Sequence, residues 1–75
     1  MKRLCDLTVG DHALVYKITS RSDMRQRFLD IGLIENTPVE CVGQSPAGDP
    51  KAYLIRGAVI AIRNDDANDI FIKEE

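Results

Sequence analysis

Three pieces of one run decide the fold: R-Q-R-F-L-D-I-G-L (Arg25–Leu33), S-P-A-G-D-P (Ser45–Pro50) and I-R-G-A-V-I-A-I-R (Ile55–Arg63). The first predicts a short cationic helix. Met24, Phe28 and Ile31 recur at helical spacing as one apolar stripe, with Leu29 beside it and Arg25, Arg27 and Asp30 off it. Gly32 ends the helix, because glycine enters the left-handed C′ conformation without strain. Thr19, Ser20, Ser22 and Asp23 offer side-chain oxygens to cap its start. A helix of about two turns is not stable alone, so its stripe must dock, as a cap over one end of a barrel.

In the second piece, Pro46 at the second position and Gly48 at the fourth suit a type I turn. Pro50 biases Asp49 to an extended backbone, so the chain leaves the turn as a strand. In the third, Ala52–Ile55 and Ala58–Arg63 flank Arg56-Gly57, where glycine supplies the positive φ of a two-residue hairpin loop. In that register Tyr53 faces Ile60 and Leu54 faces Val59, so both faces of the hairpin are apolar. A small barrel with a helix or partner outside it satisfies such a hairpin; a free sheet does not.

Outward from this run, His12–Ile18 alternates, with Leu14, Tyr16 and Ile18 on one face and Ala13, Val15 and Lys17 on the other. Pro38 opens a strand over Val39–Val42. Asn64–Asp69 predicts a single helical turn capped by Asn64 or Asp65, and Ile70–Ile72 a closing strand. The element order is strand, helix, three strands, short turn, strand: mainly β, about five strands, one short α-helix after the first.

Seventy-five residues make one domain, 1–75. A closed barrel suits this length, because it pairs every strand edge. Net charge is −2, with 29% charged residues and few aromatics, which opposes a nucleic-acid binder. Cys5 and Cys41 are too few for a disulfide framework and match no zinc spacing, so both are expected to be reduced thiols in a cytosolic chain. Cys41 alternates with Val39 and should point inward. The N-terminus lacks an apolar signal region, and no apolar stretch approaches the ~20 residues that span a bilayer. Any membrane role would come through a partner.

Catalytic chemistry finds no support. Gly43-x-x-x-x-Gly48 is followed by Asp49-Pro50 where a phosphate loop needs Lys and Ser or Thr. His12 beside Asp11 has no second histidine to complete a metal or acid/base site. The carboxylates Asp65, Asp66, Asp69, Glu74 and Glu75 lack calcium-loop spacing and suit a solvated acidic face. No cofactor or metal ligand set is expected, and the chain is not expected to be an enzyme. Arg21, Arg25 and Arg27 cluster at the helix start, where arginines can grip an acidic partner bidentately. Arg27 could instead pair with Asp49 or a loop carbonyl. The candidate contact surface is the groove between the helix (Arg25, Arg27, Phe28) and the loop carrying Pro46 and Asp49. Tyr16 and Tyr53 are its aromatics with a polar tip.

With these residues in place, the chain resembles the FeoA family of bacterial ferrous iron transport. The resemblance rests on G-D-H-A-L-V, R-x-R-F-L-D-I-G-L, S-P-A-G-D-P and R-G-A-V-I-A-I-R-x-x-D-A-x-x-I, in this order, over nearly the whole chain. It implies an SH3-like small β-barrel in which Gly32, Gly48, Pro50 and Gly57 are backbone devices. It also implies a cytosolic accessory role at the ferrous iron permease FeoB. Similar domains end metal-dependent repressors, so the fold alone does not name a function. One departure is clear: after Gly32-Leu33 the family places Pro-Gly, and this chain has Glu35-Asn36, where asparagine can still take the left-handed turn. The alternatives are a ferrous or other transition-metal sensor using His12, Asp11 or the C-terminal carboxylates, and a small-barrel nucleic-acid binder. A short barrel with an exposed edge can also form a homo-oligomer.

Overall fold

The Ile55–Arg63 stretch folds as its pattern demands. Strand β3 (Lys51–Ile55) and strand β4 (Ala58–Ile62) pair antiparallel across Arg56-Gly57, with Tyr53 opposite Ile60 and Leu54 opposite Val59. Both loop residues have positive φ, 50° at Arg56 and 83° at Gly57, which makes a type I′ turn. This computed structural model describes the backbone of residues 1–75 and every side chain except that of Ser22.

The other elements are β1 (His12–Ile18), α1 (Ser22–Asp30), β2 (Pro38–Gln44), α2 (Asn64–Ala67) and β5 (Ile70–Lys73), the order expected. One antiparallel sheet runs β4-β3-β2-β1-β5. It curls into the small SH3-like barrel shape, but β4 and β5 do not pair, so the sheet itself stays open. A short N-terminal 3₁₀ turn, Leu4–Asp6, packs against β5 and α2 and leaves the β4 edge uncovered. Leu4 is wholly buried and Leu7 nearly so. Arg3 bridges Phe71 of β5, and the Ile72 amide donates to the Lys2 carbonyl at 2.9 Å. From the start of β3, Lys51 Nζ donates to the Cys5 and Leu7 carbonyls at 2.7 and 2.9 Å.

The inner face of β1 differs from expectation. Ala13 and Val15 point into the core, the pairing register with β5 shifts between Val15 and Lys17, and Ile18 then points inward. A β-bulge at Tyr16 explains this, since one extra residue moves the following side chains to the opposite face. Leu14 and Tyr16 therefore lie outside. A second bulge between Cys41 and Gly43 carries β2 on to Gln44, past the expected Val42.

Helix α1 docks through Phe28, with Met24 and Ile31 packed partly buried against the same core. It ends in a Schellman motif: the Gly32 amide donates to the Leu29 carbonyl and the Leu33 amide to the Phe28 carbonyl, both at 2.9 Å, with Gly32 at φ +87°. Its start is not capped as expected. Among the described residues, Arg21 occupies the cap position without a side-chain bond, the buried Ser20 hydroxyl has no partner, and Asp23 accepts from the adjacent Met24 amide. The cap expected at Ser22 lies outside the described side chains. Nor do Asn64 or Asp65 cap α2, because the chain turns helical one residue earlier, with Arg63 in the cap position. Asn36 does hold the departing turn, with φ +71° and the Thr37 amide on the Ile34 carbonyl at 3.0 Å.

Candidate partner-binding surface

Of the expected contact residues, the structure leaves some at the surface and moves others into architecture. Arg27 is exposed on α1, and Leu29, on the opposite flank of the helix, is 40% exposed. Arg25 is also exposed, and its Nη1 donates to the Ile18 carbonyl at 2.9 Å, tying α1 to the end of β1. Phe28 is buried and serves as the anchor of α1. Tyr16 stands at the surface, on the face opposite the inward Ala13 and Val15, with Lys73 Nζ 5.8 Å from its ring centre.

Tyr53 corrects the expectation of a surface aromatic. It is 0% exposed, and its hydroxyl donates to the Leu4 carbonyl at 3.3 Å. Burial pushes its phenol far above the ordinary range, so it remains a neutral donor inside the barrel. The alternation that turns Ile55 inward turns Tyr53 inward with it, and the N-terminal turn supplies the acceptor its hydroxyl needs.

Pro46 is exposed in the Ser45–Gly48 turn, closed by the Gly48 amide on the Ser45 carbonyl at 2.8 Å. Asp49 does not meet Arg27. Its Oδ1 accepts from the Asn64 amide at 2.9 Å, and Asn64 Nδ2 donates to the Gly48 carbonyl at 3.2 Å. The loop is thus fastened to the start of α2, where an unsatisfied helical N–H favours a carboxylate. Among the described residues no hydrogen bond or ion pair joins α1 to this loop. The loop ends the β2–β3 ladder at Gln44/Lys51, whereas the α1 terminus meets the other end of that ladder through Arg56. The single groove expected between helix and loop is therefore two separate places.

Sequence reasoning missed Arg56. Its Nε donates to the Gly32 carbonyl at 2.8 Å, and its side chain occupies the space a Cβ on Gly32 would need. The buried Thr37 hydroxyl donates to the same carbonyl at 3.1 Å. The signal was present: a long cation inside a type I′ turn, where small residues are the rule, implies a compensating contact. Cations on aromatic faces were also missed, with Arg3 and Lys17 5.0 and 5.5 Å from the Phe71 ring centre.

The residues of the metal reading are not gathered. His12 Nδ1 lies 3.5 Å from Glu75, both well exposed, and Asp11 is occupied by the Thr8 amide and hydroxyl. Among the described residues no three His, Cys, Asp or Glu side chains converge on one point. Both cysteines are free thiols, Cys41 wholly buried as expected and Cys5 half-buried. Burial, then the Asp6 charge, raise the Cys5 thiol above its usual range, which disfavours the nucleophilic thiolate. An open groove of about 540 Å³ runs past His12, Glu40, Leu54, Arg56 and Glu75.

The model of the FeoA domain matches residues 2–74. The chain belongs to the FeoA family. A fusion protein from Porphyromonas gingivalis, Fe(2+) transport protein A joined to the Fe(2+) transporter FeoB, is 30% identical over 71 residues. Those residues are 95% of this chain and 8% of the fusion protein, so the chain corresponds to a small part of that relative. The solution structure of a FeoA protein from Chlorobium tepidum superposes with a TM-score of 0.89 at 27% identity, covering 95% of this chain and 68% of that one. FeoA of Stenotrophomonas maltophilia, described as a prokaryotic SH3-domain protein and solved with zinc, superposes at 0.84. At 19% identity, over 97% of this chain and 91% of that one, it supports the SH3-like fold alone. The family links this chain to ferrous iron transport. Among the described residues no helix is long and apolar enough to cross a membrane.

Proposed function

We propose that this FeoA-family chain is a non-enzymatic accessory protein of bacterial ferrous iron uptake, acting in the cytoplasm on the cytosolic part of the permease FeoB. The observation that carries this reading is the Porphyromonas gingivalis relative, in which an FeoA unit and FeoB share one polypeptide. Covalent linkage holds two modules at an effective concentration of about millimolar, which lets a small, weak interface stay engaged.

The contact face we assign is the outer side of α1, with Arg27 exposed on one flank and Arg25 and Leu29, one helical turn apart, exposed on the other. Arginine supplies bidentate grip on a carboxylate and Leu29 the apolar contact. Tyr16 and Pro46 are secondary candidates. The test uses full-length FeoB in nanodiscs and this chain, with binding followed by interferometry. Saturable binding weakened about tenfold by Arg27→Glu supports the reading. Absence of binding at high micromolar concentration would remove it, and binding indifferent to Arg27→Glu would remove the assigned face.

A further inference from the structure

Among the described residues the outer edge of β4 has no neighbouring strand. Its two-residue loop fixes which backbone groups are free. Ile55 and Ala58 close the loop as a hydrogen-bonded pair, so Tyr53–Ile60 and Lys51–Ile62 are the next bonded pairs. The amides and carbonyls of Val59 and Ala61 therefore point away from β3, and among the described residues none of them finds another partner. Such an edge is normally blunted by a charge, a proline or a covering loop. Here the strand is A-V-I-A-I, without a charge or proline, and Val59 is 65% exposed.

The surrounding charge says what fits. From Lys51 to Arg63 the hairpin carries three cations and no carboxylate, in a chain of net charge −2. Arg56 and Arg63 bracket β4, both exposed. Arg56 uses only Nε on Gly32, leaving its two terminal nitrogens without a protein acceptor among the described residues. The nearest carboxylates in sequence, Asp49 and Asp65, lie toward the Ile62 end, and Asp49 is taken up by Asn64.

We propose that the β4 edge binds an extended segment of another protein by strand addition, an apolar stretch flanked by carboxylates. Main-chain bonds to Val59 and Ala61 supply the affinity, and Arg56 and Arg63 select acidic flanks. A second copy of this chain fits less well. Two five-residue strands meet along a line of only about 17 Å, too short by itself to bury the ~1,200 Å² of a stable dimer. Self-pairing about Ile60 would also place Arg56 of one copy beside Arg63 of the other at both ends. This proposal concerns a different surface from α1 and stands without the permease reading.

The probe is a synthetic peptide of alternating Val and Thr with two Glu at each end, N-methylated along one edge to prevent self-association. A second peptide carries Lys in place of Glu. Amide exchange and chemical shifts are followed by NMR on the whole chain. The expected result is at least tenfold slower exchange at Val59 and Ala61, with Ala58, Ile60 and Ile62 unchanged because β3 already protects them. The Glu peptide should bind at least fivefold more tightly than the Lys peptide at low salt, a preference that Arg63→Glu reduces or reverses. Val59→Pro removes one outward donor without touching the β3 ladder, so it should keep the fold and weaken the peptide about tenfold. Protection elsewhere, no protection at millimolar peptide, or unchanged binding by a folded Val59→Pro would overturn the proposal. A dimer in sedimentation that Val59→Pro dissolves would overturn it too, giving the edge to a second copy.

Discussion

The two edges of the one sheet are treated in opposite ways. The β5 edge is sealed: the N-terminal segment lies along it, bonded from Lys2 to Ile72 and bridged at Arg3, while Leu4 is pressed into the core. The β4 edge is bare, apolar and flanked by arginines. Small barrels remove edges because edges are sticky. A chain that seals one and leaves the other has its stickiness confined to a single line, Ala58–Ile62. The difference also explains where stability resides. The sealed side contributes buried side chains, and the open side is held only from behind, through β3 and through Arg56 on Gly32.

Breaking the seal should cost most. Leu4 is 0% exposed, and its carbonyl accepts the Tyr53 hydroxyl. Leu4→Ala removes core volume at a site whose neighbours are fixed in a sheet, so a loss of about 2–5 kcal/mol is expected, read by urea denaturation. The same variant should expose Cys5, next in the chain, and speed its reaction with a thiol reagent. A loss under about 1 kcal/mol would mean that the seal is decoration and that both edges are effectively free.

Gly32→Ala attacks the support of the open side and comes next. The position has φ +87°, and an added Cβ would collide with Arg56. The backbone term alone is about 1–2 kcal/mol, and displacement of Arg56 adds to it. A total of about 2–3 kcal/mol is expected. The double variant Gly32→Ala/Arg56→Ala should recover part of that, because the collision is gone; a purely additive cycle would show that Arg56 does not press on Gly32.

Much of this frame was legible in the sequence because it is local backbone chemistry. The Arg56-Gly57 loop, the Gly32 cap and the Asn36 turn each depend on which residues tolerate positive φ, a property of the residue itself. The outward face of β1 was not legible. Leu14-x-Tyr16-x-Ile18 alternates cleanly, and only pairing with β5 creates the bulge that breaks it. The helix caps failed for a related reason: Arg21 and Arg63 take the cap positions through tertiary placement, against their propensity. Tyr53 was misjudged because a polar tip suggested a surface, whereas the Leu4 carbonyl waits for it inside. The N-terminal turn itself left only a spacing, Leu4 and Leu7, too short for any periodicity to register.

The smallest effect tests how the seal is aimed into β1. The turn Thr8–Asp11 joins the N-terminal segment to β1, and the Asp11 carboxylate accepts from the Thr8 amide at 3.0 Å and the Thr8 hydroxyl at 2.8 Å. These bonds favour the ionised form and hold its carboxyl below the usual carboxylate range, the backbone bond first and the hydroxyl second. The unfolded chain therefore takes up the proton more readily than the folded one. The stabilisation is fully present above the unfolded value, near pH 4, and fades as pH falls through the lower folded value. Asp11→Asn should lower the melting temperature slightly at pH 6, and the difference should shrink steadily as pH falls below about 4, so that the two curves converge on acidification. Curves that stay parallel across that window would mean that the Asp11 charge does nothing for the turn. The N-terminal seal would then rest on Leu4, Leu7 and the Lys2–Ile72 bond alone.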